Sequence, residues 1–210
     1  VISGFSPDHV VLLGWMRILT MSFLGWFPGM VINLHPALPG ELPGVDDDAT
    51  VVWDAVGSAE DLAERHPGVW PADSGARAWA RCAAAEMHSG FGALRGTCTM
   101  NCGLRIRLRE VSPALQHNLD RISELWNEGL DRFGGPWLAG GSFTAVDAFY
   151  APVAFRVQTY DLRLGGAANS YASRLLALRP MQEWYAAALT ETWREKAHEA
   201  EALEEDLGVA

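Results

Sequence analysis

Residues 143–160, FTAVDAFYAPVAFRVQTY, carry apolar side chains on nearly every face: Ala148, Phe149, Ala151, Val153, Ala154, Phe155 and Val157 leave little room for a polar stripe. A helix that is apolar all round is normally enclosed by other helices, so the pattern predicts a central helix. Thr144 and Asp147 stand three apart at its start, the spacing of a capping box in which hydroxyl and carboxylate each satisfy the other residue's backbone N–H. Pro152 predicts a kink within it. The flanking sequence keeps helical spacing: an Ala-rich amphipathic helix over 74–95, then one opened by Ser112 and Pro113. In the latter, Leu115, Leu119, Ile122, Trp126, Leu130 and Phe133 share a face, and Gly134 and Gly135 end it. Two further helices are expected, around 171–178 and from Pro180 through Trp184 and Leu189. The N-terminal pattern differs. Residues 10–13 and 30–34 are continuously apolar, as in parallel strands covered on both faces, and Thr20 can cap a short helix over 21–27, which together give a βαβ unit.

The composition, 49% hydrophobic and 20% charged over 210 residues, is that of a soluble globule. A net charge of −10 argues against a nucleic-acid partner or an anionic membrane surface, since phosphate binding needs clustered Lys and Arg. Asp46–Asp48 predicts a solvated turn, and the acidic run over 191–206 a solvated helix face or tail. The stretch 10–34 holds one charge, Arg17, but Pro28, Gly29 and Asn33 interrupt it and no basic segment precedes it, which argues against a membrane span and a signal peptide. Three cysteines, Cys82, Cys98 and Cys102, fit a reducing compartment, hence the cytoplasm, better than a disulfide framework. Cys98 and Cys102 would share one side of a helix, but with no His pair nearby no metal site is expected.

The expected second strand ends in NLHPALPG, where Asn33 and His35 project to the same side. An amide donor beside an imidazole could polarise a carbonyl and move a proton; a capped strand end is the plainer alternative. The run LLGWMRILTMSFLGWFPGMVINLHPALPGELPG with its N-x-H-P motif, part of a match over roughly residues 7–44, resembles phosphoribosylglycinamide formyltransferase. That resemblance implies that Asn33 holds a developing oxyanion and His35 acts as general acid or base. The Gly-rich phosphate loop and the catalytic Asp of that family are not matched, so these two roles are expected to be vestigial.

From about residue 40 to 193 a second resemblance takes over. ATVVWDAVGSAEDLAERHPGVWPADSGARAWARCAAAEMHSGFGALR, WLAGGSFTAVDAFYAPV and MQEWYAAAL are similar to bacterial glutathione S-transferases, and the capping box belongs to this match. The resemblance places residues 51–53 as the last strand and 55–65 as the last helix of a thioredoxin-like domain. It puts Leu42 and Pro43 at the cis-proline turn, and Asp54 and Ala55 where the γ-glutamyl end of glutathione is held. It assigns Met87, Phe91 and Arg95 to the electrophile pocket, although core packing is the plainer reading of Met87 and Phe91. This chain departs from the family in two ways. Ala55 stands where the family has Ser or Thr, and the stretch that should carry the thiol-activating Tyr, Ser or Cys is occupied by the formyltransferase-like piece.

The fold class expected is mainly α: a transferase-type C-terminal helical bundle after a truncated α/β segment. The expected divisions are a partial βαβ segment over 1–45, a thioredoxin-like remnant over 46–70, the helical domain over 71–193 and an acidic tail over 194–210. The function expected is that of a degenerate, chimeric glutathione S-transferase-like protein. It would bind an apolar small-molecule electrophile and, weakly, glutathione, with no tightly bound cofactor, and a homodimer would be compatible with it. The alternatives are a non-catalytic helical interaction module and a formyltransferase fragment.

Overall fold

The computed structural model describes the backbone of residues 10–13 and 31–34, residues 54–190, and positions 192 and 200. The chain divides into two compact units, Val1–Val69 and Trp70–Ala210.

In the first unit VVLL forms β1 (Val10–Leu13) and VINL forms β2 (Val31–Leu34), paired in parallel with Val10 opposite Val31 and Leu13 opposite Leu34. β2 begins one residue later than the apolar run. The helix expected over 21–27 and the strand expected over 51–53 lie outside the described residues. Helix α1 (Ala55–Arg65) starts where expected. Asp54, in extended backbone, accepts the amides of Val56 at 2.8 Å and Gly57 at 3.0 Å on Oδ1 and so satisfies two of the helix's orphan donors.

The second unit is a helical bundle. Helix α2 (Ser74–Ser89) is capped by Asp73, whose Oδ1 accepts the Ala76 amide at 2.8 Å. Its buried stripe is Ala76, Ala80, Ala83, Ala84 and Met87, and side chains this small let a neighbouring helix approach closely. The neighbour is α5 (Ala145–Thr159), whose Tyr150 hydroxyl donates to the Ala83 carbonyl at 3.0 Å.

The single helix expected over 74–95 is divided. Gly90 leaves the helix in extended backbone, Phe91 adopts the left-handed region at φ 58°, and a short helix α3 (Gly92–Thr97) follows. The left-handed conformation costs a non-glycine residue roughly 1–2 kcal/mol, and tertiary packing offsets it: Phe91 and Leu94 are buried, and the Leu94 amide donates to Asn118 Oδ1 at 3.1 Å. Because α3 stops at Thr97, Cys98 and Cys102 do not share a helix face. Asn101 Oδ1 instead closes a turn on the Gly103 and Leu104 amides at 3.0 and 3.1 Å.

Helix α4 (Pro113–Phe133) has the expected ends. Ser112 accepts the Leu115 amide at 3.2 Å, and Gly134 ends the helix at φ 62°. Helix α5 runs unbroken through Pro152, none of its residues is exposed, and α2 and α6 (Ala168–Leu176) pack against it. Trp126 of α4 meets Tyr150 and Tyr171 edge-on, with ring centroids 5.6 and 4.8 Å away. Helix α7 (Arg179–Thr190) docks Trp184 edge-on against Phe155 at 5.0 Å.

The capping box forms, with the Thr144 amide donating to Asp147 Oδ2 at 2.9 Å. Asp147 does more than cap. It is fully buried, and its Oδ1 accepts the Leu138 amide at 3.0 Å and the Tyr171 hydroxyl at 2.8 Å. One carboxylate thus ties the start of α5 to the preceding loop and to α6. Burial pushes its pKa up, and the hydrogen bonds from Leu138, Thr144 and Tyr171 offset part of that shift.

Candidate functional site

The residues singled out in the sequence fall in three places. Asn33 lies in β2 opposite Leu12, while His35, Leu42 and Pro43 lie outside the described residues. Asp54 and Ala55 form the start of α1. The Asp54 carboxylate is engaged with the helix amides, and Ala55 is buried at 5% exposure.

Met87, Phe91 and Arg95 come together at the junction of α2 and α3. Met87 and Phe91 are buried at 5% and 6%, so their side chains present little surface to a ligand in this arrangement. Arg95 reaches back over the end of α2. Its Nε donates to the Gly90 carbonyl at 3.0 Å, and its Nη2 donates to the carbonyls of His88, at 2.9 Å, and Met87. These are orphan carbonyls at a helix C-terminus, where a cation is favoured. Burial lowers the Arg95 pKa.

Arg156, which the sequence reading passed over, lies beside this group. Its Nε donates to the Cys98 carbonyl at 2.8 Å, at the end of α3, and its Nη1 lies 3.5 Å from the Pro152 carbonyl and 3.8 Å from Met100 Sδ. Burial first, and then the charge of Arg95, bring its pKa down to about 10. A signal was available: Arg156 is the one cation in a helix otherwise nearly devoid of polar groups. Nearby, the Tyr160 hydroxyl lies 3.2 Å from both the hydroxyl and the carbonyl of Thr99.

An open recess of about 600 Å³ is lined by Arg105, Arg107, Gln116, Tyr160 and Arg163 among others. Met87, Phe91 and Arg95 do not line it. Among the described residues there is no cluster of three metal-ligating side chains, and no helix is long and apolar enough to cross a membrane.

Two family signatures mark the chain, one towards each end. Residues 109–199 match the family model for the glutathione S-transferase C-terminal domain, and residues 1–58 match that for formyl transferase. The second match runs past the junction expected near residue 40 and includes Asp54 and Ala55. The first begins after Met87, Phe91 and Arg95. Phosphoribosylglycinamide formyltransferase of Escherichia coli (strain K12) is 43% identical over 44 residues, 21% of each chain. Its counterpart from Dictyostelium discoideum is 52% identical over 44 residues, 19% of this chain and 21% of that one. The chain spans about a fifth of the length of these formyltransferases.

A glutathione transferase homolog from Burkholderia GL BGR1, with bound glutathione, superposes with a TM-score of 0.50 at 18% identity, over 77% of this chain and 83% of that one. At that identity the likeness establishes the fold. The chain has a glutathione-transferase-like helical fold preceded by a formyltransferase-like segment.

Proposed function

We propose that this is a degenerate glutathione-transferase-like protein. It binds an apolar electrophile through the α2–α3 junction and glutathione weakly through the start of α1, without appreciable turnover. The observation that carries the reading is the pairing of a transferase-type C-terminal bundle with an α1 whose first turn is capped by Asp54. A helix N-terminus favours an anion, and a carboxylate there can pair with the γ-glutamyl amine. Here the carboxylate already accepts two helix amides, and Ala55 offers no hydroxyl, so the contact with glutathione is weak.

Lowering the pKa of a thiol to form a thiolate near neutral pH requires a positioned donor, and such electrostatic help typically contributes a few kcal/mol. The stretch in which transferases of this kind carry that donor is formyltransferase-like in this chain. On this reading glutathione is a weakly held ligand, no cofactor is tightly bound, Asn33 and His35 are vestigial, and the protein is cytoplasmic, with a homodimer compatible with it.

The test is calorimetric titration of the full chain with glutathione, paired with a conjugation assay on a chloronitrobenzene. Weak binding, weakened further by Asp54→Asn, with conjugation at background is the expected result. Robust conjugation would show that a nucleophile-activating group is present and that the degenerate reading is wrong.

A further inference from the structure

Arg95 and Arg156 carry more positive charge than their surroundings compensate. Arg65, Arg121, Arg132, Arg163 and Arg179 each meet a carboxylate, but among the described residues no Asp or Glu pairs with Arg95 or Arg156. A partly buried charge normally needs an anion or a full set of acceptors. What these two have instead are helix ends: Arg95 holds the last carbonyls of α2, and Arg156 holds the Cys98 carbonyl at the end of α3. A helix C-terminus is equivalent to roughly half a negative charge. Two helix ends therefore offset about one of the two positive charges, and α3, only six residues long, contributes less than a full share.

The hydrogen bonds also leave donors unspent. Arg95 uses Nε and Nη2, and Arg156 uses Nε and Nη1, so Arg95 Nη1 and Arg156 Nη2 make no bond among the described residues. Both arginines are half-buried. Their other nitrogens fix both guanidiniums to backbone, so the free donors are held in place before any ligand arrives. The thioether of Met100, in contact with Arg156 and itself 37% exposed, supplies an apolar border.

We propose that Arg95 and Arg156 together bind a carboxylate carried by the electrophile, so that the substrate class is an acidic organic electrophile rather than a neutral one. This rests on the transferase-like reading of the α2–α3 junction. A surplus of about one charge matches a monoanion and not a phosphate dianion. The apolar border favours a carboxylate on a hydrocarbon or aromatic body over a free inorganic ion.

Benzoate and its neutral analogue benzamide test this on the full chain, by calorimetry and by shift of the thermal transition. Benzoate should bind at least tenfold more tightly than benzamide, and this preference should shrink as salt is raised. Arg156→Gln should weaken benzoate tenfold or more and leave benzamide unchanged, while Arg156→Lys keeps part of the preference. Equal binding of the two compounds, or no binding of benzoate, overturns the proposal, and that contrast needs no variant should the substitutions unfold the bundle. Displacement of benzoate by glutathione would assign the site to the peptide's own carboxylate and overturn it likewise. Benzoate binding without glutathione binding leaves the carboxylate site standing and removes the transferase-like reading. Glutathione binding without benzoate binding does the reverse.

Discussion

The Tyr171 hydroxyl of α6 donates to Oδ1 of Asp147 at 2.8 Å, joining two helices through a fully buried carboxylate 24 residues earlier in the chain. Burial, and then the neighbouring Asp147 charge, push the tyrosine pKa well above its ordinary value, which favours the protonated, donating hydroxyl. The same Oδ1 takes the Leu138 amide, and Oδ2 takes that of Thr144. What begins as a local cap is therefore the point where a loop and two helices are fastened.

Replacing Asp147 by Ala should cost more than a lost cap. A capping residue alone contributes about 1 kcal/mol, but this substitution also leaves the Leu138 amide and the Tyr171 hydroxyl buried without acceptors, at about 1–3 kcal/mol each. The expected loss is about 3–7 kcal/mol, read from urea or thermal unfolding. A loss near 1 kcal/mol would show that water enters and takes over the hydrogen bonds.

The stability of the bundle should carry an unusual pH signature from the same residue. The Asp147 pKa is raised above the ordinary 3.8, with burial outweighing its donors, so the folded state holds the proton more readily than the unfolded one. The corresponding contribution is fully present below the ordinary value and is lost as pH rises through the raised one. Relative to Asp147→Asn, the unaltered chain should lose stability with rising pH across that window. A gain would mean that the hydrogen bonds outweigh desolvation.

Gly129 lies on the buried side of α4, and a Cβ there would stand 2.5 Å from Trp79 Cη2 and 2.6 Å from the Leu138 carbonyl oxygen. Gly129→Ala gains about 1 kcal/mol in helix propensity. Overpacking costs about 1–3 kcal/mol, and the carbonyl belongs to a residue whose amide is fixed to Asp147, so it cannot easily give way. Net destabilisation, with a lowered thermal midpoint, is expected. A stabilised variant would mean that the Leu138 loop yields readily.

Ala55→Ser restores a hydroxyl at the first residue of α1. One additional hydrogen bond to glutathione is worth roughly 1 kcal/mol, about a fivefold gain in affinity. Turnover should stay at background, because a group at the γ-glutamyl end does nothing for the sulfur. Unchanged affinity in the titration would place glutathione elsewhere. Ala55 is buried, so the unfolding midpoint should be checked in the same samples.

Local chemistry was legible in the sequence wherever both partners lie within a few residues. Ser112 and Pro113 start α4, Gly134 ends it, and Thr144 with Asp147 opens α5, because a cap joins a side chain to amides or carbonyls one turn away. The parallel pairing of β1 and β2 was legible for a related reason: mainly apolar tetrapeptides joined by a long connection leave few other arrangements. Tertiary structure alone decided the rest. One helix is expected over 74–95 in spite of Gly90 and Gly92, yet the chain breaks at Gly90 and Phe91, where the low helix propensity of glycine meets the burial of Leu94 and the bond of its amide to Asn118. Nothing near Asp147 in sequence announces Tyr171, and nothing near Arg95 announces Arg156. Their partners come from segments tens of residues away, and burial, which sets both the cost of a charge and the value of a hydrogen bond, exists only once those segments have packed.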